Sequence, residues 1–135
     1  MTWFRVDDSF ATHPKVLSIP RKDRPTAVGL WTLAGVWCAA HLTDGHLGEH
    51  MVGELGVPNR FGLILVQARL WHSPDDDCAK CKEHDGLPLE GFQFHDWWDW
   101  QPLRSDVEQR RKEDRERKAE AREAKRVRNM SARNP

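Results

Sequence analysis

Residues 59–71 read NRFGLILVQARLW, residues 72–90 read HSPDDDCAKCKEHDGLPLE, and residues 91–100 read GFQFHDWWDW. The first piece has no internal proline and recurring apolar positions, which predicts a helix from Asn59 to Leu70. The last piece predicts a short aromatic strand, with Trp71-His72 pairing against Phe94-His95 in a hairpin. Between them lies a polar loop carrying Cys78-x-x-Cys81. A helix, a strand, a loop and a returning strand follow one another.

Upstream, Met1 to Asp8 predicts an extended lead, with Trp3, Phe4 and Val6 available to pack. Asp7, Asp8 or Ser9 can cap a short helix holding Phe10, His13, Val16 and Leu17, which Pro20 ends. Arg21 to Arg24 is a charged turn, and Pro25 occupies the favoured first position of the next helix. In that helix Ala27, Leu30, Trp31, Ala34, Trp37, Cys38 and His41 recur on one face, so it is read as the central buried helix. Thr43-Asp44-Gly45 is a turn signal, and His46-Leu47 can form a short strand. Glu49 to Leu55 predicts another helix, with Leu47, Met51 and Leu55 four residues apart. Gly56 suits its C-terminal cap. Val57-Pro58 breaks the chain, and Asn59 can cap the following helix through its side-chain oxygen.

Helix, glycine-containing turn and capped helix form a helix-turn-helix signature, and the hairpin after it extends the pattern. The fold class expected is mainly α with a small β-hairpin, a winged helix-turn-helix, followed by a charged C-terminal helix or disordered tail. The domain spans 1–102, with an inserted Cys-x-x-Cys wing loop at 71–95. The charged tail spans 103–135. It places Asp106/Arg110, Glu108/Lys112, Glu113/Arg117 and Asp114/Lys118 four residues apart, acid first. Each such pair adds about 0.2–0.5 kcal/mol to a helix. No heptad seam runs through it, which argues against a coiled coil.

The charge is divided unevenly. Up to Pro102 there are 9 Lys and Arg against 14 Asp and Glu, a net of −5; from Leu103 onward there are 12 against 7, a net of +5. An acidic body balanced by a basic tail gives the formal total of +0. The longest apolar run, around Val28 to Ala40, is too short and interrupted to span a bilayer, so no membrane partner is expected. MTWFRVDDSF lacks a basic-then-apolar leader, and 3 cysteines do not make a disulfide framework. A reducing cytoplasm is the expected location.

WFRVDD at 3–8 followed by HPKV, GLWTLAGVWCA at 29–39, LTDGHL at 42–47 and FHDWWDWQP at 94–102 carry a likeness that covers nearly the whole chain. Together they resemble the small winged-helix proteins of actinobacterial phages and prophages, described as replication initiators, replisome organisers or helicase-loader-like proteins. The resemblance implies DNA binding in phage or prophage replication, without catalysis. Its motifs are structural, so an adaptor of the same fold that meets a replication or host protein, or a small transcriptional regulator, stays open.

For double-stranded DNA, the helix after the turn offers Asn59, Arg60, Gln67 and Arg69. Arg60 can donate to guanine and Gln67 to adenine. Leu63 and Val66 offer only methyl contacts, and such an apolar face equally suits a protein partner. In the tail, Arg110-Arg111-Lys112 and Lys125, Arg126 and Arg128 can neutralise phosphates independently of sequence. Interleaved acids also fit a plain solvated helix. The sequence leaves the oligomeric state open, a dimer included.

Cys78 and Cys81 form half of a zinc knuckle. Structural zinc takes four nitrogen or sulfur ligands in a tetrahedron, so histidines must complete the set. His72 leads over His84 and His95 for this, and the site named from sequence is Cys78, Cys81, His72 and His84. Asp75, Asp76 and Asp77 favour a cation nearby, while two free thiols in a flexible loop are the alternative. His95-Asp96 reads as a packing pair rather than a catalytic dyad, and Cys38 as core. With no phosphate loop, paired carboxylates or nucleophile motif, no enzyme activity is expected.

Overall fold

The computed structural model describes residues 2–133, and the chain divides into two compact units, Met1–Leu103 and Arg104–Pro135. The protein is mainly helical, with a small three-stranded antiparallel sheet and a long C-terminal helix. No helix among the described residues is long and apolar enough to cross a membrane.

After the extended lead, the Asp7 carboxylate accepts from the Ser9 amide at 2.7 Å and starts a single 3-10 turn, Phe10–Thr12. Helix α1 (Pro14–Leu17) follows, its first turn capped by His13 Nδ1, which accepts from the Lys15 amide at 3.1 Å. Arg24 covers the open end of α1 by donating to the Leu17 carbonyl at 3.0 Å and the Ile19 carbonyl at 2.9 Å. Such end carbonyls have no partner within their own helix.

Helix α2 (Arg24–His41) is the central element, and Ala27, Leu30, Ala34 and Cys38 on it are fully buried. The buried line is narrower than expected. Trp31 and Trp37 are half-buried, and Trp37 stacks on His41 with ring centroids 4.5 Å apart. Gly35 explains how the lead is held. A Cβ there would sit 2.2 Å from the Phe4 ring, so only glycine admits the aromatic plug that also meets Trp31 edge-on at 4.9 Å.

Strand β1 (His46–Leu47) leads to α3 (Met51–Glu54), shorter than the helix expected over 49–55. Gly56 does close α3 in the left-handed conformation, with φ +84. The Gly56 amide bonds the Gly53 carbonyl and the Val57 amide bonds the Val52 carbonyl, the paired bonds of a Schellman stop.

Helix α4 (Arg60–Gln67) carries the buried Phe61 and Leu65. Asn59 does not cap it through its side chain. Its backbone is itself helical, φ −55 and ψ −31, a setting that does not turn the amide oxygen back onto the first helical N–H groups. The helix also stops short of Leu70. Arg69 takes φ +63, its amide bonds the Val66 carbonyl, and the Leu70 amide bonds the Leu65 carbonyl. This is a second Schellman stop, with arginine where glycine is usual.

Strand β2 (Trp71–His72), the helical turn α5 (Ala79–Lys82), strand β3 (Phe92–Phe94) and helix α6 (Trp97–Trp100) complete the first unit. The aromatic strand expected over 91–100 ends at Phe94, because Asp96 turns left-handed at φ +46 and Trp97 begins a helix. The sheet order is β1-β3-β2. Leu47 faces Phe92 and His46 faces Gln93 on one side of β3; Trp71 faces Phe94 and His72 faces Gln93 on the other. The hairpin register thus differs from the pairing expected between Trp71-His72 and Phe94-His95. Trp71, Phe92, Phe94, Leu30 and Leu65 meet in one core.

In the second unit, helix α7 (Arg104–Arg133) runs 30 residues. Its acids take partners other than those expected. Asp114 meets Arg117, Glu108 meets Arg104, and Glu123 meets Arg126 at 2.7 Å. The Arg126 bond holds the Glu123 carboxyl below its ordinary range.

Two measurements test the core. Leu65→Ala, at a fully buried position, should lower unfolding stability by about 2–5 kcal/mol, whereas Leu63→Ala, 57% exposed, should change it by less than about 0.5 kcal/mol. Burial also pushes the Cys38 thiol up to about 11 from 9.0. The unfolded chain loses that proton first, so the thiol's contribution holds below pH 9.0 and is lost as the pH rises towards 11. Denaturant titrations of the native chain and Cys38→Ala should converge, or cross, over that window. A constant difference would show that Cys38 does not titrate there.

Candidate metal centre

The β2–β3 register decides which side chains meet. Successive strand residues point to opposite faces. Trp71, Phe92 and Phe94 therefore enter the core, while His72 and Gln93 lie on the other face. His95, two residues beyond Gln93, continues that second face, and its amide bonds the Leu70 carbonyl at 3.0 Å. The two imidazoles come together there, with His72 Nε2 2.8 Å from His95 Nδ1.

The loop between the strands supplies sulfur. Cys78 precedes the turn of α5 and Cys81 lies within it, so the two-residue spacing brings both thiols to one side. Cys81 Sγ is 3.2 Å from His72 Nε2 and 3.2 Å from His95 Nδ1, and Cys78 Sγ is 3.8 Å from His95 Nδ1. All four ligand atoms lie within 4.8 Å of one another, and Cys81 is fully buried. The residues His72, Cys78, Cys81 and His95 can bind a metal ion.

Each histidine also has a carboxylate at its outer nitrogen. Asp76 Oδ2 is 2.8 Å from His72 Nδ1, and Asp96 Oδ2 is 3.7 Å from His95 Nε2. Such a partner fixes the tautomer that leaves the inner nitrogen's lone pair free. Lys80 in α5 bonds Asp96 at 3.3 Å and Asp99 at 2.8 Å, tying the knuckle to α6. Lys82 bonds Asp77 at 3.1 Å within the loop.

Burial sets the protonation of the site without a cation. It pushes the Cys81 thiol up to about 11, so the sulfur keeps its proton at neutral pH. It holds His95 down to about 4, so that imidazole stays neutral, the form a metal takes. A cation reverses the balance for sulfur, because a coordinating thiol is deprotonated outright.

Of the ligands named from sequence, Cys78, Cys81 and His72 belong to this group and His84 does not. His84 stacks on Trp98 with centroids 4.3 Å apart. His95 takes the fourth place. Its signal was the strand alternation after Phe94, which outweighs the short spacing that favoured His84.

The residues named for DNA are dispersed. Arg60 is bonded to the buried Asp23 at 3.3 Å and lies over the Phe61 ring at 4.3 Å. Asn59, Gln67 and Arg69 are exposed. In α7, Arg126 is held by Glu123, while Arg110, Arg111, Lys112, Lys125 and Arg128 are exposed and form no ion pair among the described residues.

The ligand set makes distinct predictions for elemental analysis of purified protein. Native chain and His84→Ala should each hold metal at a ratio of about one, and His95→Ala should fall near zero. Asp76→Asn, which keeps the shape and removes the charge, should weaken metal affinity about 10–100-fold. Equal metal content in His95→Ala and the native chain would exclude His95 as a ligand. Known family models, curated proteins and solved structures contain no match to this chain.

Proposed function

We propose that the first unit is a zinc-stapled winged helix without catalytic activity, which binds duplex DNA in phage or prophage replication. The carrying observation is the cluster of His72, Cys78, Cys81 and His95. Two thiolates and two imidazoles suit zinc, and four protein ligands leave no open position for a reacting water. A tetrahedral zinc centre with such ligands has edges of about 3.3 Å between nitrogens, 3.6 Å from nitrogen to sulfur and 3.8 Å between sulfurs. The two nitrogens, 2.8 Å apart, and Cys81 Sγ, 3.2 Å from each of them, lie about 0.4–0.5 Å inside these edges, and Cys78 Sγ lies 3.8 Å from His95 Nδ1. Loading asks the two imidazoles to part and the wider pairs, all within 4.8 Å, to draw in.

Helix α2, strand β1, helices α3 and α4, strand β2 and, after the helical turn α5, strand β3, with sheet order β1-β3-β2, support the winged-helix organisation. On it, α4 is the helix that enters the groove, presenting Asn59, Arg60 and Gln67, with Arg69 at its end. The free cations of α7 add phosphate contacts.

A second reading is favoured by one feature of the wing. Residues 73–91 hold 6 Asp and Glu against 2 Lys, a net of −4, which repels phosphate. Leu63 on α4 is 57% exposed. An acidic wing beside an apolar helix face suits an adaptor for a basic replication or host protein. A small transcriptional regulator shares the DNA chemistry and differs in target.

Binding of metal-loaded protein to duplex DNA over a salt series separates the two. Groove binding predicts log K falling linearly with log salt, by about 0.9 per phosphate contacted. Arg60→Ala with Gln67→Ala should weaken it, and removing residues 104–135 should flatten the slope. No binding at low salt would discard the DNA reading in favour of the adaptor.

A further inference from the structure

A cavity of about 580 Å³ lies on the side of β3 and α6 that faces the N-terminal lead. The Gln101 side chain fixes the lead against α6, accepting from the Arg5 amide at 2.8 Å and donating to the Arg5 carbonyl at 2.7 Å. The size falls within the range of roughly 300–1,000 Å³ typical of small-molecule sites.

The cavity's walls are aromatic. Phe4, Phe10, Trp31, Phe94, Trp97 and Trp100 all line it. Phe10 stacks on Trp31 at 4.1 Å, while Trp100 remains 56% exposed. Phe94 and Trp97 are buried and Phe10 covers one face of Trp31, so it is Trp100 that offers an open face to a planar ring.

Its charged groups are unequally satisfied. Three acids line the cavity, and each has a partner within the protein. Asp7 accepts from Ser9, while Asp96 and Asp99 accept from Lys80. Two cations line it, and neither the Arg5 guanidinium nor the Lys15 ammonium makes a hydrogen bond or ion pair among the described residues. Burial lowers the Lys15 pKa below the ordinary lysine value, and the nearby Asp96 carboxylate, which it does not bond, opposes that shift. His13 also lines the cavity, its Nδ1 engaged with the Lys15 amide. The available polar recognition is therefore for an anion.

We infer that this cavity binds a planar aromatic ring bearing a phosphate, a mononucleotide unit, with the aromatic walls taking the base and Arg5 and Lys15 the phosphate. Guanidinium and ammonium donors to phosphate form charge-assisted bonds, about twice as strong as neutral ones. Free nucleotides and single-stranded nucleic acid both present this unit. The inference is independent of α4 and of duplex binding, so failure of either leaves the other standing.

Ligand-observed NMR titration of the metal-loaded full chain tests it with four probes: adenosine 5′-monophosphate, adenosine, inorganic phosphate and a tetramer of deoxyadenylate. The monophosphate should bind at least about tenfold more tightly than adenosine or phosphate alone. Arg5→Gln and Lys15→Gln, each checked for unchanged circular dichroism and metal content, should each weaken the monophosphate about fivefold or more and leave adenosine unchanged. A tetramer binding more than about tenfold tighter than the monophosphate, and weakened by the same variants, identifies a strand as the source. Equal affinities identify the free nucleotide. No binding of the monophosphate, binding untouched by both variants, or phosphate alone binding equally well would overturn the inference.

Discussion

Strand β3 lies between β1 and β2, and its register with β2 is the constraint on which the first unit depends. Trp71 opposite Phe94 puts both rings in the core, and the same alternation puts His72 and His95 on the reverse face. A slip of one residue would exchange the two sets, sending imidazoles inward and aromatics out. Apolar packing and ligand placement thus favour the same pairing. Neither strand exceeds 3 residues, so the sheet's few hydrogen bonds could not hold that register unaided.

The loop joining those strands has little apolar material to organise it. Leu89 is fully exposed, and ion pairs near the surface such as Lys82–Asp77 contribute little. What gathers the loop is the meeting of Cys81 with the two histidines, reinforced by Asp76 and by Lys80 against α6. A buried thiol, the buried His72 imidazole and the half-buried His95 imidazole are costly to remove from water without a shared partner. A cation bound by all of them would offset that cost and fasten both ends of the loop to the sheet.

Much of this was legible in the sequence, and the misses share a cause. The central helix, the turn after α3 and the cysteine knuckle announce themselves through local spacing: Ala27 to Cys38, Gly56, and Cys78 to Cys81. The stops at Leu42, Arg69 and Asp96 do not. These residues adopt left-handed backbone, with φ of 54, 63 and 46, without being glycine. Surrounding contacts impose that conformation, so residue type carries no warning of it. The role of His95 is hidden from local spacing for a related reason. Its place in the ligand group follows from a register between strands, whereas His84 drew attention by proximity in sequence. In α7 the charge pattern predicted a helix, but the choice among neighbouring acids for each arginine depends on rotamers that spacing does not fix.

The sheet order has a kinetic consequence. Closing β2 onto β3 spans about 20 residues, whereas bringing β1 onto β3 spans about 45, and the longer closure carries the greater entropy cost. Three of the ligand residues lie within the shorter span and His95 follows it directly. Contact order therefore favours closure of the hairpin and its knuckle ahead of the docking of β1 and the helices on either side of it.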